Sequence, residues 1–216
     1  MAEKIKNIIF DLGGVVLDID ESITIHELQK KGINGQTLMH DPQFLAIDGK
    51  FERGIISAPT FRKQVKQLIG KENLSDPDFD FIWNSMLLDI PRERIQALEQ
   101  IKEHYNIFLM SNTNEIHYDL YVRDLQLRFG YKQFDDLFDK SYFSFDVHLM
   151  KPDPLFFEYI IDNQGLKPKE TLFIDDTKAN IDVASQLGIH TYLIRRDELV
   201  RNLFENGILK KDVLIS

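Results

Sequence analysis

The sequence predicts an α/β fold: a doubly wound parallel sheet with an all-helical segment inserted after its first strand. Three observations support this prediction. An apolar run near the N-terminus ends in a carboxylate and two glycines. Residues 22–90 carry apolar side chains at helical spacing and show no strong strand pattern. After Pro91, helix and strand patterns alternate, as in chains that build a mostly parallel sheet through right-handed crossovers.

The composition is that of a globular protein with one core domain and a small insert. The chain has 216 residues, of which 43% are hydrophobic and 28% charged. A net charge of −9 argues against a nucleic-acid partner, although a small anionic substrate can still be bound locally. Cysteine is absent, which excludes disulfides and thiolate zinc sites. Without a leader-like or membrane-spanning apolar run, we expect a cytoplasmic protein with no membrane partner.

The first predicted strand is the apolar run that ends at Asp11, within the stretch NIIFDLGGVVLDID. Strands buried on both faces of a parallel sheet have such nearly continuous hydrophobic sequences. Gly13 and Gly14 then indicate a turn. An aspartate at the tip of a buried strand is a candidate functional residue, although the same residue type also caps turns and helices.

The segment that follows is predicted to be helical throughout. ESITIHELQKKG and SAPTFRKQVKQLIG both end in glycine, which favours a helix C-terminus, and SDPDFDFIWNSML has its apolar residues on one face. We therefore assign residues 18–90 to a helical insert and residues 1–17 and 91–216 to the core domain.

The remainder of the chain supplies the other strands of the sheet. RERIQALEQIKEHY, DPLFFEYIIDNQG and KANIDVASQLG predict helices with apolar stripes. NIFLMSN, KSYFSFD, TLFIDD and IHTYLIRR predict strands, of which KSYFSFD is the weakest. In this order the elements give a Rossmann-like sheet that is covered by helices on both faces.

Polar residues follow three of these strands, and one more polar group precedes a predicted helix. These residues are Asp11, Ser111, Asn112, Asp175, Asp176 and Lys151. Ligands of open α/β sheets bind beyond the carboxyl ends of the strands, so we expect one shared crevice. Three converging carboxylates repel one another unless a cation lies between them, and Mg²⁺ prefers carboxylate and phosphate oxygens. The pattern therefore predicts Mg²⁺, a phosphate ligand and a nucleophilic carboxylate.

Each of these signals has an alternative explanation as a loop or helix cap, but their joint order and spacing resemble the four motifs of the haloacid dehalogenase-like (HAD) hydrolase superfamily. FDLGGVV, LMSNTN, MKPDP and FIDDTKANI match the four motifs, and the resemblance covers essentially the whole chain. It implies that Asp11 is the nucleophile, that Ser111 and the backbone of Asn112 bind phosphate, and that Lys151 neutralises its charge. The helical insert matches the C1-type cap of this superfamily.

The resemblance also implies a metal site. Mg²⁺ would be held by Asp11, by the backbone carbonyl of Gly13, and by Asp175 and Asp176, with Asn180 behind them. The sequence leaves open which residue of the Asp-Asp pair is the direct ligand.

The first motif departs from the usual pattern at Gly13. Most phosphatases of the superfamily carry a second aspartate there, which protonates the leaving group and later activates water. Such general acid–base help is typically worth about 10²–10⁴-fold in rate. The same Asp-Leu-Gly pattern occurs in sugar-1-phosphate phosphatase-like members, which resemble the phosphatase domain of soluble epoxide hydrolase. The resemblance implies an active phosphomonoesterase on a small phosphorylated metabolite. We expect this metabolite to be sugar-1-phosphate-like, since an anomeric oxygen leaves more readily than an ordinary alkoxide and needs less help from an acid.

Four residues are candidates to replace the missing acid: Asp18, Asp20, Glu52 and His117. Asp18 and Asp20 follow the first strand, Glu52 lies in the FERG stretch of the insert, and His117 follows the second motif. Each has an alternative explanation as a surface residue or a helix cap. We favour Glu52 or Asp20 on the cap side of the crevice.

Two other functions stay open. A 2-haloacid dehalogenase would use Asp11 to attack carbon without a metal, and the Asp-Asp pair argues against this reading. A non-catalytic phosphate-ligand-binding protein on the same scaffold is supported only by Gly13. We expect a monomer or a weak homodimer.

Overall fold

The predicted parallel sheet is confirmed. The computed structural model describes residues 4–195 and 198–214, and within them a sheet of five parallel strands has the order β3-β2-β1-β4-β5. The strands are β1 (Asn7–Phe10), β2 (Asn106–Ser111), β3 (Lys140–Phe143), β4 (Thr171–Asp175) and β5 (His190–Leu193). The C-terminal end of the predicted last strand, Arg196, lies outside the described residues.

The helices occupy the positions that the periodicity predicts, with additions. Between β1 and β2 lie α1 (Glu21–Lys30), α2 (Gly35–Leu38), α3 (Pro42–Phe51), α4 (Ala58–Leu68), α5 (Asp76–Asn84) and α6 (Arg92–Lys102). They are followed by α7 (Glu115–Phe129), α8 (Phe134–Leu137), α9 (Ser144–Val147), α10 (Pro154–Gln164) and α11 (Lys178–Gln186). A short hairpin, β6 (Phe204–Glu205) and β7 (Ile208–Leu209), comes after β5. None of the helices in the described part of the chain combines the length and apolar character that crossing a bilayer requires.

The sheet is buried on both faces, which explains the unbroken apolar runs of its strands. In β1, Ile8 and Phe10 join one hydrophobic cluster, whereas Ile9 joins a second cluster on the opposite face. Phe108 and Phe173 of the neighbouring strands lie on the same side as Ile9. β1 therefore stands at the centre of the sheet, paired with β2 on one side and β4 on the other. The residues that follow β1 and β4 flank the point where the strand order reverses, which is where ligands bind in such sheets.

The helical insert (residues 18–90) is built around a further hydrophobic cluster, which α1 to α5 supply together with Ile116 of α7. Phe51 and Phe61 stack with ring centroids 4.1 Å apart, and Trp83 packs against Phe61. The chain enters and leaves the insert along one short paired stretch. There Asp18 N donates to Asp89 O at 2.8 Å, and Asp20 N donates to Met86 O at 2.8 Å. These stretches lie beside the assigned domain boundaries, which stay a prediction.

Several features of the core were not predicted from periodicity, among them the short helix α8 and the hairpin of β6 and β7. KSYFSFD continues as strand only to Phe143, since Ser144 begins the short helix α9. The helix α7 had no assignment, because its buried residues are few: Ile116, His117, Tyr121 and Leu125 in a helix of 15 residues. Such a sparse apolar stripe gives a weak helical signal.

Candidate active site

Asp11 stands directly after the central strand, at the reversal point of the sheet. Its N–H continues the ladder with β4 by donating to Ile174 O at 2.9 Å, and its Oδ1 accepts from Leu12 N–H at 2.7 Å. The side chain is nearly buried, with 8% of the residue exposed, and it faces a cavity. A carboxylate oriented by strand pairing and by a backbone N–H is held ready to act as a nucleophile.

The ammonium of Lys151 joins the carboxylates of two neighbouring strands. Its Nζ lies 2.6 Å from Asp11 Oδ1 and 2.8 Å from Asp175 Oδ2, in a residue that is 2% exposed. The side chain of Asn112 holds the main chain of Lys151 from both sides. Asn112 Nδ2 donates to Lys151 O at 2.8 Å, and Lys151 N donates to Asn112 Oδ1 at 2.8 Å.

The two adjacent acids after β4 have different surroundings. Asp175 is fully buried and accepts hydrogen bonds from Lys151 Nζ, from Asn180 Nδ2 at 3.0 Å, and from Thr177 N at 2.7 Å. Asn180 thus contacts Asp175, and its role behind a bound metal stays a prediction. Asp176 faces the cavity and accepts a hydrogen bond from Thr177 Oγ1 at 3.3 Å.

The donor set at this edge of the sheet fits a hard divalent cation. One oxygen from each of Asp11, Asp175 and Asp176 lies within 4.8 Å of the others. Three carboxylates against the single ammonium of Lys151 leave an excess of negative charge in a buried place. Gly14, at φ +76°, brings the backbone so close to Asp176 that a Cβ would overlap its carboxylate. All the potential ligands are oxygens, which is the chemistry that Mg²⁺ prefers.

The protonation of this cluster reflects burial first and charge second. Burial raises the pKa of Asp11 to about 7, Lys151 opposes this rise, and the like charge of Asp175 adds to it. The pKa of Lys151 is raised, because Asp11 and Asp175 outweigh the effect of burial on its ammonium. A divalent cation stabilises the carboxylate form, so it lowers the pKa of Asp11.

Ser111 ends β2 on the same edge of the sheet and is 2% exposed. Its hydroxyl donates a long hydrogen bond to Asn112 O, at 3.3 Å. Because that bond is weak, the hydroxyl can donate instead to a stronger acceptor such as a phosphate oxygen. Thr113 behind it is fixed by Tyr121, whose OH donates to Thr113 Oγ1 at 2.9 Å, and by Ser144. This buried network of hydroxyl groups was not predicted from the sequence.

A cavity of about 540 Å³, the cleft, lies between this edge of the sheet and the helical insert. The core side of the cleft is lined by Asp11, Gly13, Ser111, Asn112, Lys151 and Asp176. The insert contributes apolar residues and three acids to the lining, including Phe44, Trp83, Glu21, Asp48 and Glu52. The core side of the cleft, its floor, is polar and offers metal ligands, whereas the insert side, its roof, is partly apolar and partly acidic. This arrangement suits a small ligand that is charged at one end.

The four candidate proton carriers are in different places. Glu52 faces the cleft. Asp20 is the N-cap of α1, where its Oδ1 accepts from Ser22 N at 3.0 Å and Ser22 Oγ at 2.6 Å, and it does not line the cleft. Asp18 pairs with Arg94, with Oδ1 and Nη2 2.6 Å apart.

His117, the fourth candidate, lines the cleft but is not poised to donate a proton. Its ring stacks on Trp83 with centroids 5.5 Å apart, and its Nδ1 lies 2.8 Å from Asn84 Oδ1. Burial lowers the pKa of His117 to about 3, so the imidazole is neutral near pH 7. The histidine is therefore part of the wall of the cleft.

Asp48 is a residue of the cleft that sequence reasoning missed. It lies four residues before Glu52, on the same face of α3, and lines the same cleft. The available signal was two acids at i, i+4 spacing in an otherwise apolar helix, since such residues share a face.

Comparisons with known proteins agree with this geometry. Residues 5–188 match the family described as haloacid dehalogenase-like hydrolase. The chain is 31% identical to the D-ribitol-5-phosphate phosphatase of Bacteroides thetaiotaomicron, over 87% of this chain and 91% of that protein. A HAD-family enzyme of B. thetaiotaomicron, solved with magnesium and inorganic phosphate, is 36% identical with a TM-score of 0.83, over 93% and 100% of the chains. A HAD-like hydrolase of Porphyromonas gingivalis is 35% identical with a TM-score of 0.80, over 90% and 93%.

Proposed function

The chain belongs to the haloacid dehalogenase-like hydrolase family, and from this premise we propose that it is a Mg²⁺-dependent phosphomonoesterase that forms an aspartyl-phosphate on Asp11. The observation that carries the proposal is the cluster of Asp11, Lys151, Asp175 and Asp176 at the floor of the cleft. The substrate is a small phosphorylated metabolite. A volume of about 540 Å³ accommodates a molecule of that size.

The core residues divide the work of phosphoryl transfer. Asp11 attacks phosphorus in line, and Lys151 offsets the negative charge of the transferred group. Ser111 and the backbone N–H of Asn112 hold the phosphate oxygens. When bound, Mg²⁺ neutralises the carboxylates and the phosphate so that two anions can approach each other. The aspartyl-phosphate is then hydrolysed by water to phosphate and the free Asp11 carboxylate.

We assign direct metal binding to Asp176 rather than Asp175, with Asp11 and the carbonyl of Gly13 as further ligands. Both oxygens of Asp175 already accept hydrogen bonds from protein donors, including Lys151 and Asn180. Its role is to hold Lys151 in place.

We propose that the substrate is a polyol phosphate or a sugar phosphate, so that the leaving group is the alkoxide of an ordinary alcohol. The phosphatase relative is named for D-ribitol 5-phosphate, in which the phosphate is esterified to a primary alcohol. A sugar 1-phosphate, the substrate class that the sequence analysis expects, becomes the alternative, since its anomeric oxygen leaves with less help. The two classes differ in how strongly they depend on a proton donor.

The test is phosphate release from a panel of polyol, sugar and aryl phosphates, with Mg²⁺ or EDTA. We expect turnover only with Mg²⁺, and a loss of at least about 10³-fold in Asp11→Asn. Asp162→Asn, an exposed position on α10, is the matched control and should keep full activity. Acid quenching followed by mass spectrometry should find a phosphoryl group on the peptide that contains Asp11. Activity that survives Asp11→Asn would contradict the mechanism.

The same assays separate the alternatives. Chloride release from a 2-haloacid, insensitive to EDTA, would identify a dehalogenase. Phosphate-ligand binding without turnover of any ester would identify a non-catalytic binding protein. The cytoplasmic location, the absence of nucleic-acid and membrane partners, and the monomeric or weakly dimeric state stay predictions, to be tested by fractionation, binding assays and sedimentation.

A further inference from the structure

Two carboxyl groups of the helical insert face the cleft from one helix. Asp48 lies in the last turn of α3 and Glu52 is its C-cap, so they are separated by one helical turn. The backbone continues between them, with Glu52 N donating to Asp48 O at 2.8 Å. Both side chains line the same cleft as Asp11 and Gly13. The insert thus supplies acids to a site in which the usual position of the acid in the core, residue 13, is a glycine.

The position of Glu52 is anchored on both sides. The preceding residue, Phe51, is buried in the insert, where it stacks on Phe61. After Glu52 the chain docks on the core: the carbonyl of Arg53 lies 2.7 Å from His148 Nδ1, and a Cβ on Gly54 would overlap the carbonyl of Phe145.

The segment contacted by this loop leads directly to Lys151, whose ammonium touches Asp11. Lys151 and Glu52 line the same cleft. Contacts on both sides fix the backbone from which the Glu52 side chain extends into the cleft, and a catalytic acid requires a backbone placed in this way.

The surroundings favour a protonated carboxyl group near neutral pH. Burial and the charge of Asp48 raise the pKa of Glu52 to about 8, against the opposing effects of Arg53 and Lys151. Burial raises the pKa of Asp48 to about 7, and its Oδ1 is buried without a hydrogen-bond partner among the described residues.

Other charged or titratable groups also face this space. From the insert, Glu21 and His40 line the cleft, and from the core the lining includes Asp11, His117, Tyr121, Lys151 and Asp176. His148 approaches only the backbone beside Glu52. The carboxylates among these neighbours favour retention of the proton by Glu52, whereas Lys151 opposes it.

From this arrangement we infer that Glu52 is the catalytic acid and base of the reaction, and that the charge of Asp48, one helical turn away, favours the protonated form of Glu52. The inference rests on the proposed phosphatase function, and it deepens that function by assigning the proton transfer to the insert. The enzyme can then hydrolyse substrates with poor leaving groups, such as polyol phosphates, although position 13 is a glycine.

The proton transfers balance over one catalytic cycle. In the first step, an Asp11 oxygen bonds to phosphorus while the bond from phosphorus to the ester oxygen breaks. That oxygen takes the proton of Glu52, and a neutral alcohol leaves. In the second step, the Glu52 carboxylate takes a proton from water as the water oxygen bonds to phosphorus. The bond to Asp11 breaks, and inorganic phosphate, the Asp11 carboxylate and protonated Glu52 result.

The test compares Glu52→Gln with wild type on two esters, D-ribitol 5-phosphate and p-nitrophenyl phosphate. The kcat/KM value reports the first step, in which the alkoxide needs a proton and p-nitrophenolate does not. We expect kcat/KM to fall by about 10²–10³-fold on the alkyl ester and by less than about 10-fold on the aryl ester. The matched control Glu72→Gln, at an exposed position of the insert, should change neither value.

Asp48→Asn provides a second measurement that a purely structural role would not affect. The negative charge of Asp48 raises the pKa of Glu52, so its removal lets Glu52 lose its proton at lower pH. We expect the basic limb of the kcat/KM profile on the alkyl ester to move to lower pH, by about 0.5–1 unit. The profile on the aryl ester should stay in place.

The outcomes separate failure of this inference from failure of the proposed function. Equal losses of kcat/KM on both esters in Glu52→Gln would overturn the inference, as would an unmoved basic limb in Asp48→Asn. Either result leaves the phosphatase function intact as long as wild type turns over and Asp11→Asn does not. If wild type hydrolyses neither ester with Mg²⁺, the proposed function itself fails.

Discussion

At the scale of single residues, Gly13 connects the chemistry of the core to the helical insert. An added Cβ at this position would stand 3.3 Å from Ile19 Cδ1, so a side chain fits only if Ile19 gives way slightly. The glycine lines the cleft, and its carbonyl is the proposed metal ligand. In the proposed mechanism, the floor of the cleft binds the phosphate and the metal, while the proton donor is on the opposite wall.

Introducing an aspartate at position 13 tests whether another residue already donates the proton to the leaving group. In wild type, Gly13→Asp should change kcat/KM on alkyl phosphates by less than about 3-fold, because Glu52 donates the proton. In a Glu52→Gln background, the same change should restore at least about 10-fold.

Gly13→Ala is the control for this experiment, because it makes the same demand on Ile19 without a carboxyl group. A large gain from Gly13→Asp in wild type would mean that the missing acid limits the enzyme, and that Glu52 does not replace it.

Asn112 is a residue whose place in the sequence is readily identified but whose hydrogen-bond partner is not. The second motif correctly puts this residue beside Ser111 at the end of β2. Its side chain, however, exchanges two hydrogen bonds with the main chain of Lys151, 39 positions away in the sequence. A hydrogen-bond partner so distant in sequence is set by how the loops meet.

At the scale of elements, the end of α3 and the loop after it determine where the insert meets the core. Phe51 belongs to the cluster of the insert, whereas Gly54 lies against Phe145 of the core. Glu52 stands between these two attachments. Gly54 also has φ +63°, a conformation that residues with a Cβ rarely adopt.

Gly54→Ala should disturb this docking contact. Gly70→Ala is a matched control, because Gly70 has φ +62° but no neighbouring atom within 4 Å of an added Cβ. Both variants carry the same backbone strain, so the difference between them isolates the overlap with Phe145. We expect Gly54→Ala to lower the free energy of unfolding by about 1–3 kcal/mol more than Gly70→Ala, measured in urea.

Activity should distinguish the two variants as well. Because displacement of the loop moves Glu52, Gly54→Ala should reduce kcat/KM on alkyl phosphates more than on p-nitrophenyl phosphate. Equal unfolding energies and equal activities in the two glycine variants would show that the contact with Phe145 does not position the insert.

At the scale of the whole molecule, negative charge collects where β1 and β4 end. Asp11, Asp175 and Asp176 converge there, and the buried Lys151 offsets only part of their charge. A cation that binds the folded chain and not the unfolded chain stabilises the fold by mass action.

Mg²⁺ should therefore raise the melting temperature. At 100 times its dissociation constant, a ligand stabilises the folded state by about 2.7 kcal/mol. For a chain of this length, that corresponds to a rise of roughly 5–10 °C. Differential scanning calorimetry with Mg²⁺ or EDTA measures the rise. Asp176→Asn should abolish most of it, Asp162→Asn should keep it, and a full rise in Asp176→Asn would contradict the assignment of Asp176 as a direct ligand.

The sheet and the floor of the cleft were predictable because they follow from local patterns and one general rule. Apolar runs identified the strands, and strands of a parallel sheet present their carboxyl ends at one edge. Asp11, Ser111 and the Asp-Asp pair therefore come together independently of the conformations of the loops. The helix α7 escaped prediction, because only a few of its residues are buried.

The sequence by itself determined the fold class, the residues at the floor of the cleft and the absence of a core acid at Gly13. Only the tertiary structure distinguished Glu52, which faces the cleft, from Asp20, which caps α1, and added Asp48 to the site. The physical reason is that strand-end residues are brought together by hydrogen-bonded pairing of β1, β2 and β4. The roof of the cleft depends instead on a loop of the insert docking against Phe145 and His148, more than 90 positions along the chain. Local periodicity carries no information about such a contact.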